Sequence, residues 1–194
     1  MITTVSLITA AGLWLVAAAV GLAASGRAAM TASCGLSAVG GLACLVGGVT
    51  PMVTARFGAW QPAGGGVVGV LALRTAPLAT VFVSLLGLVT LAIALYAPRY
   101  HQPGAATAVY LAAYQLTVIA CLGILMAGNV TTFLVCWESM ALLSYLVVLR
   151  HGRRSEVAAG GFSFLALSEL GFGLIVAAFL VMATQTGTMD LALM

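Results

Sequence analysis

Six apolar runs dominate this sequence and limit the folds that it can adopt. They cover residues 2–24, 29–53, 77–97, 106–127, 130–149 and 157–183. A helix needs about 20 apolar residues to cross the hydrocarbon core of a bilayer. Of the 194 residues, 63% are hydrophobic and 6% are charged, whereas soluble domains carry roughly 25% charged residues. The sequence therefore predicts an all-α integral membrane protein, a single polytopic domain over 1–194 with six transmembrane helices in a bundle.

The connection between the second and third runs differs in composition from the other four. It contains a glycine triplet at 64–66, followed by the alternating segment VVGVLAL. Glycine readily adopts the positive φ of a tight turn, and β-branched residues in alternation are typical of a strand. We therefore predict a short β-hairpin between helices 2 and 3, on the outer side of the membrane by the charge argument that follows.

The basic residues predict how the helices are oriented. All seven are arginines, and the sequence has no lysine. One side of the predicted bundle receives five of them and the other side receives two: Arg27, Arg99, Arg150, Arg153 and Arg154 against Arg56 and Arg74. The side richer in arginine is expected in the cytoplasm, which places both termini outside. Because the arginines separate apolar runs, they indicate a lipid bilayer as partner and no nucleic acid.

Two glutamates fall inside the apolar runs, where a charge costs about 2.5–3.5 kcal/mol on insertion scales. Glu138 lies twelve residues before Arg150, and Glu169 lies fifteen after Arg154. Both are therefore expected near the middle of the membrane, on helices joined by a short turn. Either the two carboxyl groups face one another or each faces its own polar pocket. We predict that both residues take part in proton translocation.

Polar side chains accompany these glutamates at helical spacing. The candidates for lining a proton path are Thr131 and Tyr145 on the helix of Glu138, and Tyr110, Tyr114, Gln115 and Thr117 on the preceding helix. Such groups can order water molecules that pass protons to a carboxylate. The alternative is that they form hydrogen bonds between helices. The four cysteines lie in apolar runs without metal-binding spacing, and no nucleophile or cofactor motif is present. We therefore expect no catalytic residue, cofactor or metal in this chain.

The stretch GNVTTFLVCWESMALLSYLVV at 128–148 resembles the fifth helix of the antiporter-like, proton-translocating subunits of respiratory complexes. This family includes subunits of complex I, group 4 membrane-bound hydrogenases and multisubunit sodium/proton antiporters. Residues 77–100 resemble the third helix of the family. Residues 162–194, with Leu-Gly and Thr-Gly-x-x-Asp, are most similar to hydrogenase-4 component B and formate hydrogenlyase subunit 3.

The resemblance implies a membrane-arm subunit in the inner (cell) membrane of a bacterium or archaeon, driven by electron transfer in partner subunits. It implies that Glu138 is the protonatable glutamate of helix 5, which in the family pairs with a lysine on helix 7. This chain has no lysine, carries Glu169 where hydrogenase-type relatives usually have a histidine, and lacks an acidic residue before helix 3, where it reads RTAPLA.

These departures predict a split, truncated or reduced subunit, with a partner subunit that supplies the lysine-bearing helix. Two other functions stay open on the sequence alone. The chain could be a structural subunit that braces neighbouring membrane subunits without pumping, or a small oligomeric transporter or channel.

Overall fold

A computed structural model describes residues 2–23, 26–60, 71–100, 107–149 and 155–194, the first four of the last range by their backbone only. Within these residues the chain forms six α-helices and one pair of short strands. The helices are α1 (Ile2–Ala23), α2 (Gly26–Thr54), α3 (Pro77–Tyr100), α4 (Thr107–Leu125), α5 (Val130–Val148) and α6 (Ser155–Thr186). Each bound lies within three residues of its predicted run. All six are long and apolar enough to cross a membrane, as expected of an all-α, multi-pass membrane protein.

Helices α1 to α4 pack together into a body with a common apolar core. Trp14 of α1 is fully buried at its centre, next to Cys44 of α2 and Val118 of α4. The indole Nε1 of Trp14 donates a hydrogen bond to the backbone oxygen of Ser37 at 3.3 Å. A large apolar ring with a satisfied polar atom fixes the position of α1 against α2.

Helices α2 and α3 approach so closely that their backbones touch. A Cβ atom on Gly41 would lie 2.9 Å from the backbone oxygen of Gly87, and one on Gly48 would lie 2.6 Å from the backbone nitrogen of Ser84. Real Cβ atoms do not reach such distances, so only glycine permits this crossing. Small residues at helix crossings allow the close van der Waals packing that associates helices in lipid.

Helices α5 and α6 extend from this body as a two-helix arm. Helix α5 packs on α4, where Cys136 fills the space beside Gly123, and α6 packs on α5. Within the described residues of α6, Gly161 is the one buried position, and the other described side chains are half-buried or exposed. The arm therefore leaves most of the surface of α6 outside the bundle.

One end of the bundle is closed by paired backbone segments, which we call the cap. Strands β1 (Ala59–Trp60) and β2 (Leu73–Arg74) are antiparallel, as the hairpin prediction requires, while the glycine triplet at 64–66 lies outside the described residues. Beyond β2, the turn between α4 and α5 is hydrogen-bonded to the chain on both of its sides. Gly128 donates its backbone N–H to Ala72 at 2.7 Å, and its oxygen accepts from Leu191 at 3.2 Å. The cap thus joins the hairpin, the α4–α5 turn and the C-terminal residues.

Candidate functional site

The carboxyl groups of Glu138 and Glu169 meet at the interface between α5 and α6. Glu138 lies midway along α5 and Glu169 midway along α6. The two side chains are within hydrogen-bonding reach of each other. Of the two arrangements that the sequence left open, the structure therefore shows the facing pair. Two carboxyl groups in contact are most stable when one proton is shared between them, because two adjacent negative charges repel.

The pair retains one polar atom whose hydrogen-bonding capacity is not used. Atom Oε2 of Glu138 is buried and has no hydrogen-bond partner among the described residues. A buried acceptor without a partner costs about 1–3 kcal/mol. Such atoms often mark the position of a water molecule or a functional group. The pair can therefore accept a further donor, which is what a site that takes up and releases protons requires.

Two local interactions position α5, the helix that carries Glu138. Asn129 caps the helix, and its Oδ1 accepts a hydrogen bond from the backbone N–H of Thr132 at 2.8 Å. Such a cap fixes the first residue of the helix. Phe133 then packs edge-to-face on Phe179 of α6, with 5.5 Å between ring centroids. The cap thus fixes where α5 begins, and the aromatic contact is a second point at which α5 meets α6.

The predicted stripe on α5 lies toward α6. Tyr145, seven residues after Glu138, packs its ring against Gly161, where an added Cβ would lie 3.2 Å from the Tyr145 ring. Thr131, seven residues before Glu138, is half-buried on the same stripe. Tyr145 thus lies at the interface that holds the carboxyl pair, about two turns along the helix from Glu138.

Three of the four polar groups predicted on α4 lie elsewhere, because they face α2 and α3, and the fourth, Thr117, bonds to its own helix. Gln115 is 1% exposed, and its Oε1 accepts a hydrogen bond from Ser37 Oγ of α2 at 3.1 Å. The Tyr114 hydroxyl lies beside Thr90 of α3, without the geometry of a hydrogen bond.

Tyr110 packs against buried apolar residues that include Met30 of α2 and Ala97 of α3. Thr117 donates its Oγ1 hydrogen to the backbone oxygen of Ala113 in its own helix, at 2.8 Å. These bonds and packing contacts do not involve Glu138, and the role of the four side chains in a proton path stays a prediction.

Thr132 is a buried polar residue that sequence reasoning did not single out. It is 2% exposed, and its Oγ1 accepts a hydrogen bond from the backbone N–H of Ala72 at 2.8 Å. This bond ties the first turn of α5 to the hairpin, and so links the helix of Glu138 to the cap. A sequence-level signal exists in hindsight, since Thr132 stands three residues after an Asn that begins a helix. Its partner is 60 residues away and could not be identified from the sequence.

The described residues contain no group of three His, Cys, Asp or Glu side chains that could hold a metal ion. The four cysteines are free thiols within the helices.

Comparison of the sequence with known proteins identifies two relatives. No family model matches the chain. The relatives are the uncharacterized proteins MT0090 and Rv0083 of Mycobacterium tuberculosis, from strains CDC 1551 and H37Rv. Each is 34% identical over 107 residues, which make up 55% of this chain and 17% of the relative. The chain thus spans about a sixth of the length of the curated relatives that it matches.

Proposed function

We propose that this chain is a membrane-arm subunit of a respiratory or hydrogenase-type redox complex, and that it contributes part of a proton (or sodium) path. The observation that carries the proposal is the contact between Glu138 and Glu169 midway along two membrane-spanning helices. Intramembrane acidic residues are costly, and those that persist usually mark ion pathways. The resemblance of 128–148 to the fifth helix of antiporter-like subunits supports the same assignment. Electron transfer takes place in partner chains.

The carboxyl pair acts as a two-position proton store. One protonated carboxyl donates a hydrogen bond to the neighbouring carboxylate, and the shared proton can move from one residue to the other. When a cationic side chain approaches, both carboxylates are stabilised as anions and the proton leaves. When that cation withdraws, repulsion between the two charges favours uptake of a new proton. In the resembled family the approaching cation is a lysine, and this sequence has none.

The exposed surface of α6 supports a partner subunit as the source of that cation. Glu169 is exposed at the middle of α6, beside Leu167 and Leu170, which are 71% and 63% exposed. A carboxyl group at this depth is not stable against lipid, because hydrocarbon offers no hydrogen bond. A lysine-bearing transmembrane helix of a partner subunit, placed on this face, would cover Glu169 and complete the site.

The arrangement of the helix ends agrees with the proposed orientation. Ser6, near the start of α1, lies beside Gly47 near the end of α2, so the N-terminus is at the same end of the bundle as the cap. The C-terminal residues are part of the cap as well. This end carries Arg56 and Arg74, and the opposite end carries Arg27 and Arg99. The bias toward the opposite end comes from the sequence positions of Arg150, Arg153 and Arg154, which lie outside the described residues, and it favours the outer side of the membrane for the cap. Since the relatives come from a bacterium, we propose the cell membrane of a bacterium or archaeon as the location.

The test replaces one carboxyl by its neutral amide. Glu138→Gln should abolish proton movement coupled to electron transfer, because an amide cannot release a proton, while the complex should still assemble. Proton uptake is measured with a pH-sensitive dye in inverted vesicles that contain the whole complex. Glu156→Gln is the matched control, since Glu156 lies in the first turn of α6, about 20 Å along the helix from Glu169. Unchanged proton uptake in Glu138→Gln would contradict the proposal.

A structural subunit is the second candidate, and the mostly uncovered α6 favours it. A helix that buries little of its own surface is suited to bracing a neighbour, with Glu169 as a hydrogen-bonding anchor. On this account Glu138→Gln leaves proton movement unchanged and lowers the amount of assembled complex. Quantifying both in the same membranes separates the two functions.

A further inference from the structure

A second polar site lies in the cap, away from the carboxyl pair. A cavity of about 410 Å³ opens there, within the range of pockets that bind small molecules. Its lining comes from the hairpin, the start of α3, the α4–α5 turn and the C-terminal segment. Because these segments are distant in the sequence and are joined by the backbone hydrogen bonds of the cap, the fold holds the cavity in a defined shape.

One cation and one anion line this cavity, and neither neutralises the other. They are Arg74 of β2 and Asp190 of the C-terminal segment. No ion pair joins either side chain to another charged group among the described residues. The backbone N–H of Arg74 donates a hydrogen bond to the backbone oxygen of Met126 at 2.6 Å, which fixes the strand, and the side chain of Arg74 is exposed. Oδ1 of Asp190 accepts a hydrogen bond from the backbone N–H of Ala192 at 2.8 Å, and the other carboxylate oxygen has no partner among the described residues.

The depth of the cavity restricts the ligands that can reach it. It lies where α2 and α4 end and where α3 and α5 begin. If the six helices cross a bilayer, as their lengths and composition allow, these ends fall at the boundary between hydrocarbon and water, where phospholipid headgroups are located. A lipid headgroup is therefore the ligand most abundant at this depth.

We propose that the cavity binds a zwitterionic phospholipid with a primary amine, which has the phosphoethanolamine headgroup. Its phosphate would accept paired hydrogen bonds from the guanidinium of Arg74, the geometry that arginine offers to phosphates. Its ammonium would donate to Asp190. An anionic headgroup such as phosphoglycerol brings no cation to Asp190 and is repelled by it. A choline headgroup carries a cation without N–H donors, which prefers aromatic rings to a carboxylate.

The experiment compares lipids on the unmodified protein, isolated in detergent with its associated subunits. Short-chain phosphatidylethanolamine, phosphatidylcholine and phosphatidylglycerol are titrated, and the bound lipid is counted by native mass spectrometry. We expect phosphatidylethanolamine to bind about tenfold more tightly than the other two, since each lacks one charge-assisted hydrogen-bond partner. Equal or weaker binding of phosphatidylethanolamine would overturn the proposal, and this comparison needs no variant to fold. Soluble phosphoethanolamine that binds as tightly as the lipid would overturn the assignment to a lipid.

Single-residue variants test whether the lipid binds in this cavity. Arg74→Gln should weaken phosphatidylethanolamine binding about tenfold, and Asp190→Asn should remove the preference over phosphatidylglycerol. Arg56→Gln is the matched control, because Arg56 lies at the same end of the bundle and does not line the cavity. If Arg74→Gln and Arg56→Gln bind phosphatidylethanolamine equally well, the headgroup is not held by Arg74 and the proposal fails.

Discussion

At the scale of single residues, Glu138 and Gln115 show why a carboxyl group and an amide serve different purposes in this protein. Gln115 is fully buried, and Ser37 satisfies its oxygen, so it acts as a hydrogen bond between helices. Glu138 retains a buried oxygen without a partner among the described residues, although a neutral amide would cost less to bury. Gln115 therefore serves to pack α4 against α2. The cost of burying the Glu138 carboxyl group is instead explained by the proposed function.

Loss of the Ser37 hydroxyl should weaken the contact between α2 and α4. Ser37→Ala leaves Gln115 Oε1 without its donor, and we expect it to lower the free energy of unfolding by about 1 kcal/mol. The measurement is unfolding in mixed micelles with increasing dodecyl sulfate, followed by circular dichroism. Thr31→Ala is the control, because Thr31 is exposed and bonds to the backbone of its own helix. Equal losses in the two variants would show that the Ser37–Gln115 bond contributes nothing specific.

The sequence predicts where a residue lies along its helix, but it does not predict the direction in which the side chain points. The position of Glu138 at mid-helix could be predicted, because it depends only on counting residues within an apolar run. Whether it faces Glu169 could not be predicted, because helix rotation depends on contacts such as Phe133 with Phe179. For the same reason the α4 stripe could be predicted as polar, while its orientation toward α2 and α3 could not.

At the scale of elements, the crossing of α2 and α3 is the part of the fold most sensitive to substitution. Gly41 and Gly87 bring the two backbones together, and each would place an added Cβ against backbone atoms of the other helix. Backbone atoms cannot move aside as a flexible side chain can. The crossing distance is therefore determined by these glycines rather than by the larger residues around them.

Gly87→Ala should destabilise the body by about 1–3 kcal/mol, the usual cost of overpacking. Gly35→Ala is the matched control, because an added Cβ at Gly35 meets no atom within 4 Å. Since alanine favours helix over glycine by up to ~1 kcal/mol, the control should be neutral or slightly stabilising. Both are measured by the dodecyl sulfate titration. A Gly87→Ala protein as stable as Gly35→Ala would contradict the close crossing.

The six helices could be predicted because hydrocarbon thickness sets a length that apolar runs must match. The hairpin could be predicted in part, since β-branched alternation after a glycine triplet favours a strand. The remainder of the cap could not. Its bonds from Gly128 to Ala72 and from Leu191 to Gly128 join backbone atoms distant in the sequence, and backbone atoms carry no sequence signal.

At the scale of the whole molecule, the division into a body and an arm separates stability from the proposed function. The body of α1 to α4 contains the apolar core and the hydrogen bonds between helices. The arm of α5 and α6 contains both intramembrane glutamates, and α6 has the smallest buried share of the six helices among the described residues. A subunit built this way can be held by its body while its arm contacts a partner.

The outer face of α6 should contact a partner protein. A photoreactive amino acid at Leu174, which is 67% exposed, should form a covalent adduct with another polypeptide in the native membrane. The same probe at Ile8 of α1, 68% exposed, should label lipid instead. Adducts are separated by electrophoresis and identified by mass spectrometry. Lipid labelling alone at both positions would show that no partner covers α6.

The protonation state of the carboxyl pair during turnover is the most direct test of the central claim. Infrared difference spectroscopy of the whole complex records the carbonyl stretch of protonated carboxyl groups as electrons are supplied. We predict a signal that changes during turnover, disappears in Glu138→Gln, and shifts in Glu169→Gln because the carboxyl partner is lost. A turnover signal that is identical in the unmodified complex and in both variants would contradict a proton store at this pair.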